Sequence, residues 1–121
     1  MDREETLKLK ISYAKVRDAY RGKHNIEDFF AGEKMSVEVP NSFLDELANE
    51  YPEDYLKRLR EIEKAMQKPQ ISFISDIPSG YQILSCIRRA DGYFVCANVI
   101  KLDGLRLVSA GPHKTRTEVD A

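Results

Sequence analysis

The segment SAGPHKTRTEV, residues 109–119, sets His113 beside Lys114 and close to Arg116, with hydroxyl-bearing residues around them. His113 is one of only 2 histidines in the chain. Histidine is the side chain whose ordinary pKa lies near neutrality, so it can accept and return a proton at physiological pH. Cations next to it could hold a phosphate and offset the negative charge that grows in a transition state. Such a site needs no metal ion, provided that the fold brings further cations and a second proton carrier to this stretch.

Rival sites are few. Cys86 and Cys96 do not form a C-x-x-C pair, and no cluster of histidine and cysteine has zinc spacing, so no metal and no cofactor are expected. Neither a Gly-rich phosphate loop nor a serine triad is legible. His24, in RGKHNIEDFF, has no partner readable from sequence and reads as a surface residue before a helix cap. Glu53, Asp54, Glu61 and Glu63 read as the solvated face of a helix, not a catalytic dyad. KRLR (57–60) could track a phosphate backbone, but helix charge pairs account for two of its cations.

At 121 residues, the chain is expected to form a single domain over 1–121. A chain of this size buries roughly 65% of its unfolded surface, enough for one core. Apolar content of 42% and charged content of 32% are globular values. Net charge is −1, so the global field does not favour a polyanion and any phosphate site must be built locally. The charged start MDREETLKLK is no secretory signal, and no apolar run is long enough to span a membrane. A soluble, cytoplasmic chain is expected.

The elements that must position the site follow from periodicity. Leu9, Tyr13, Val16 and Tyr20 have helical spacing, whereas Leu7, Leu9, Ile11 and Tyr13 alternate as a strand does. We take the helix, ending at Gly22, with the strand left open. A short helix at NIEDFF would be capped by Asn25. MSVEV (35–39) reads as a strand stopped by Pro40. SFLDEL opens a helix capped by Ser42, and Pro52 starts another. That last helix carries Tyr55, Leu59, Ile62 and Met66 on one stripe, pairs Glu53 with Lys57 and Asp54 with Arg58 on the other side, and ends at Pro69. Thereafter ISFIS, YQILSCIR, YFVCANVI and LRLVSA are β-rich runs joined by DIPSG, RADG and KLDG, which signal antiparallel hairpins. The expected class is α+β, with a helical segment at 1–33 and a core at 34–121. In it, N-terminal helices pack on one face of an antiparallel meander of four to five strands.

Tight loops would pair Arg88 with Tyr93 and Ile100 with Leu105. One sheet face then holds Leu84, Cys86, Val95, Ala97, Val108 and Ala110, suited to covering by the long helix. The other holds Ser85, Cys96, Asn98 and Ser109 between Tyr81, Ile87, Phe94 and Leu107, either a functional face or the wet side of two layers. The two cysteines fall on opposite faces, so no disulfide is expected. The same register brings Arg88, Arg89, Tyr93, His113, Lys114 and Arg116 to one end of the sheet. The plain alternative is that charges gather at strand ends because strand ends are solvated.

The order of strand, two helices and a meander with a basic tail resembles the barnase, EndoU, colicin and RelE superfamily. PSGYQILSCIRRADGYFVCANVIKLDGLRLVSAGPHKTRTEV is similar in strand rhythm to the C-terminal half of RelE-type toxins. GKHNIEDFFAGEKMSVEVPNSFLDELANEYPEDYLKRLREIEKAMQKP is closer to the phage-associated branch. The resemblance covers about residues 22 to 119 and implies a RelE-like, metal-independent ribonuclease of toxin type, encoded by a phage or mobile element. It would cleave RNA through attack of the 2′-hydroxyl. Carried over, the terminal basic cluster would be His113, Lys114 and Arg116. With the residues that the register brings beside it, His113, Arg116 and Tyr93 would be catalytic, and Arg88, Arg89 and Lys114 would hold RNA.

The departures from that pattern each remove a cation or proton carrier. Tyr51 stands where the phage-associated branch has a histidine before PE, Phe94 where RelE-type toxins have an arginine, and the tyrosine near their C-terminus is replaced around Asp120. The second reading is therefore an inactive, RelE-like protein-binding factor, such as an inhibitor or regulator of a host complex. Its partner would be a protein, an antitoxin, an immunity protein or a host target, in place of RNA.

Overall fold

Leu7 and Leu9 turn toward the core while Lys8 and Lys10 stay exposed, and this period of two makes Leu7–Lys10 a strand. The computed structural model, which describes residues 7–31 and 35–113, corrects the single helix expected to run through this segment to Gly22. Strand β1 (Leu7–Lys10) comes first, and helix α1 is confined to Tyr13–Ala19. The strand wins because Leu7 and Leu9 pair with Val39 and Val37, burying both partners. After Ala19 the chain turns extended. Tyr20 bridges to Ser72, and the Arg21 amide donates to the Ser72 carbonyl at 2.8 Å.

The remaining elements are α2 (Ile26–Phe30), β2 (Ser36–Val39), α3 (Asn41–Glu50), α4 (Tyr55–Gln67), β3 (Ile71–Asp76), β4 (Gln82–Arg89), β5 (Phe94–Lys101) and β6 (Leu105–His113). Asn25 caps α2 as its sequence suggests, its Oδ1 accepting from the amides of Glu27 and Asp28. Ser42 is not the cap of α3, which begins at Asn41 behind Pro40. Pro52 lies in a turn before α4 and does not start it.

The class is α+β, but the sheet has six strands, not four or five, in the order β1-β2-β6-β5-β4-β3. The meander β3 to β6 is antiparallel as expected, whereas β2 runs parallel to β6 through Val37 with Leu105 and Glu38 with Arg106. The sheet is therefore mixed. Sequence order hid this pairing, since its two strands lie at opposite ends of the meander and the α3–α4 unit.

The helices cover one face. Ile62, Ala65 and Met66 of α4 are buried with Leu84, Cys86, Val95, Ala97 and Val99 of the sheet. Burial of a side chain such as Ile62 contributes about 1.5–3 kcal/mol. Ser72 Oγ, wholly buried, donates to the Val16 carbonyl at 3.0 Å and ties α1 to β3. Lys101 reaches the Asp28 carbonyl of α2 at 3.0 Å.

One correction concerns β6. Asn98 pairs with Ser109 but Val99 pairs with Leu107, so Val108 is an extra residue in a β-bulge. The bulge reverses the expected faces beyond it. Leu107 is buried in the core, and Val108, expected there, is exposed.

Candidate functional site

Where the β4–β5 hairpin meets α4, three polar side chains close on one another. Tyr93 donates its hydroxyl proton to Glu61, at 2.8 Å from either carboxylate oxygen, and accepts a hydrogen bond from Arg58 Nη1. Arg58 and Glu61 also pair directly at 3.5 Å, with side chains only 18% and 19% exposed. The guanidinium lies between two rings, 4.5 Å from the centroid of Tyr51 and 5.0 Å from that of Tyr93. Its Nε is buried without a partner among the described residues.

Burial, then the hydrogen bond to Glu61 and its charge, push the Tyr93 phenol up to about 12. Tyr93 thus keeps its proton at neutral pH. It can give a hydrogen bond but cannot act as a base.

This cluster departs from the expected charge pairing. The helical spacing pairs Arg58 with Asp54 and puts Glu61 on the same solvated face. In the fold both turn inward because they flank Leu59 and Ile62 at the border of the apolar stripe, beside the hairpin. That border position was the signal available in the sequence.

Glu61 also lines a cleft of about 490 Å³ with Lys64, Gln70, Arg88, Arg89 and Asp91. Two side chains of its wall are already engaged: Arg88 Nη1 donates to the Lys68 carbonyl at 2.9 Å, and Gln70 Oε1 accepts from the Arg89 amide at 2.9 Å.

The hairpin register is two residues wider than expected. Arg88 pairs with Val95 and Arg89 with Phe94, and the Ala90 amide donates to the Tyr93 carbonyl across Asp91 and Gly92. Gly92 alone in this loop takes positive φ, at 75°. A shift of two preserves the faces, so Arg88 and Tyr93 both lie on the helix side while Arg89 lies on the other. The backbone of His113 is opposite Phe94, at the same end of the sheet. Lys114 and Arg116 lie outside the described residues.

The face away from the helices carries a polar seam. Ser85 Oγ donates to Asn98 Oδ1 at 2.6 Å, and Asn98 Nδ2 donates to Ser109 Oγ at 2.9 Å, crossing three strands. Beside β6, Glu50 and Tyr51 border a hollow of about 320 Å³ with Cys96, Asn98, Ser109 and Gly111. Cys86 and Cys96 are free thiols on opposite faces. Burial raises the pKa of both, that of Cys96 to about 11, which makes them poor nucleophiles.

His24 does have partners. Its Nε2 is 3.2 Å from Asp76 Oδ2, and Gln82 Nε2 lies 3.4 Å from its Nδ1, fastening the segment before α2 to the end of β3. Among the described residues, no group of histidine, cysteine and carboxylate side chains could hold a metal ion, and no helix is long and apolar enough to cross a membrane.

Comparison with models of protein families, with curated proteins and with solved structures finds no match to this chain.

Proposed function

We propose that this chain is a catalytically inactive, RelE-like protein-binding factor. The observation that carries this reading is that Tyr93 and Arg88, two of the side chains expected to work on a phosphodiester, are already engaged. Tyr93 is held by Glu61 and Arg58, Arg58 is neutralised by Glu61, and Arg88 is bound to the Lys68 carbonyl. A site for phosphoryl chemistry needs its cations and proton carriers free to meet the substrate. The order β2, α3, α4, β3 to β6 follows the order that carries the RelE resemblance and supports the fold half of the reading. Expression in a bacterial host should leave growth normal, and purified chain should leave total RNA intact over long incubation. Growth arrest together with RNA breakdown would refute it.

One observation favours the ribonuclease instead, namely the cleft that Lys64 and Arg88 line on the helix side. In that reading Arg88, Arg89 and Lys114 hold RNA while His113, Arg116 and Tyr93 drive attack by the 2′-hydroxyl. Toxicity relieved by His113→Ala would establish it over the first.

A further inference from the structure

The pairing register assigns every exposed sheet residue to a face, and the faces differ in charge. Lys8, Glu38, Arg106, Ile100, Ile83 and Ser75 form one row across all six strands on the side away from the helices. Lys10 and Arg89 lie on that side as well. Lys8, Lys10, Arg89 and Arg106 are exposed, and against them stands one carboxylate in the strands, Glu38, which pairs with Arg106 at 3.0 Å. Glu50 stands at the rim. Among the other exposed acids, Asp45, Glu46, Glu53 and Asp54 belong to α3 and the turn after it, on the helical layer, and Asp91 and Asp103 to the two hairpin loops. A chain of net charge −1 thus has a basic sheet face.

Between the cationic corners the surface is uncharged. The seam of Ser85, Asn98 and Ser109 is flanked by exposed Ile71 and half-buried Phe73, Ile83, Phe94 and Ile100, with Ile87 and Cys96 buried among them. Ile71 is 40% exposed, and the end of α3, at Glu50 and Tyr51, borders this face beside β6. Along β5 the row of Arg106 and the row of Arg89 are six residues apart, about 20 Å at the rise of a strand.

We infer that this sheet face is the docking surface for an acidic protein partner, one that sets carboxylates at the two cationic ends and apolar side chains over the middle. The inference deepens the protein-binding reading and rests on it. A nucleic acid strand fits less well, because its evenly spaced phosphates would cross a neutral middle about 20 Å long. Branched aliphatic side chains also outnumber the aromatic rings that would stack on bases. Apolar centre and charged rim are the anatomy of a protein interface.

The test is a titration of the full chain, followed by amide NMR, with a random copolymer of glutamate and tyrosine, which supplies carboxylates and apolar rings. Shifts should map to Lys8, Arg89, Phe94, Asn98 and Arg106. The pair Arg89→Ser and Arg106→Ser should weaken binding about tenfold or more, and Glu38→Gln should tighten it. Lys64→Ser, in the cleft on the helix side, should change nothing.

Shifts confined to the helices, or unchanged binding by the double variant, would overturn the inference. So would tighter binding of a poly(U) strand of equal charge, which would make the face a nucleic-acid surface. A concentration-dependent dimer that shields Asn98 would do the same, since a second copy would then be the occupant. RNA breakdown by the purified chain would sink the non-catalytic reading while leaving the NMR map intact, so the two failures are separable.

Discussion

The Tyr93 phenol and the Glu61 carboxylate meet at 2.8 Å across the join between the β4–β5 hairpin and α4, and Arg58 closes the triangle. Together with the bond from Arg88 to the Lys68 carbonyl at the end of α4, this polar joint fixes the relative position of hairpin and helix. In a half-buried setting its members depend on one another.

Tyr93→Phe keeps the ring on Arg58 but removes the hydroxyl, leaving Glu61 and Arg58 each short of a partner. It should cost about 1–3 kcal/mol. Urea denaturation measures the loss, and a cost near zero would show that solvent replaces the hydroxyl.

The same group makes stability depend on alkaline pH. Because the Tyr93 pKa is raised from 10.0 to about 12, the folded chain holds this proton where the unfolded chain has released it. Its contribution is whole below about pH 10 and declines as pH rises toward 12, since stability falls wherever the folded state binds more protons. Denaturation at about pH 9 and about pH 11.5 should show a decline in the wild type that is smaller in Tyr93→Phe.

The bulge in β6 makes neighbouring residues behave differently. Leu107→Ala should cost about 2–5 kcal/mol, as deletion of a buried leucine does. Val108→Ala should stay within about 0.5 kcal/mol. Equal effects would place Val108 in the core and remove the bulge.

Neither thiol should react readily. Cys86 is wholly buried, and burial holds the Cys96 thiol at about 11. Labelling by a thiol reagent at neutral pH should therefore require unfolding, and mild oxidant should form no internal disulfide, because the two sulfurs lie on opposite sides of the sheet.

Local rules in the sequence reached far into this fold. The stripe Tyr55, Leu59, Ile62 and Met66, the Asn25 cap and the Asp-Gly turns each act over a few residues, and each appears where chemistry puts it. Faces of the meander followed from parity alone, as Leu84, Cys86, Val95 and Ala97 show. Two features escaped because their causes are distant. Pairing of Leu9 with Val37 decides that β1 is a strand, where the local alternation of Leu7, Leu9, Ile11 and Tyr13 leaves strand and helix both open. Val108 becomes a bulge through its partners on β5, while its own type is ordinary for a strand. The polar joint was missed for a third reason. Arg58 and Glu61 have the composition of a solvated face, and only the hairpin above them turns that border inward.

Glu38 and Arg106 touch across 68 residues of chain, at the one parallel seam of the sheet. During synthesis β1 and β2 are made before the neighbour that completes them, since Arg106 follows Glu38 by 68 residues. At about 5–20 residues per second the wait is several seconds. Through that interval the inner edge of β2 exposes unpaired amides and carbonyls, a template for mispairing with other nascent chains. Slow translation or cold growth should lengthen this window, and a yield that depends on chaperone supply would be its signature in the cell.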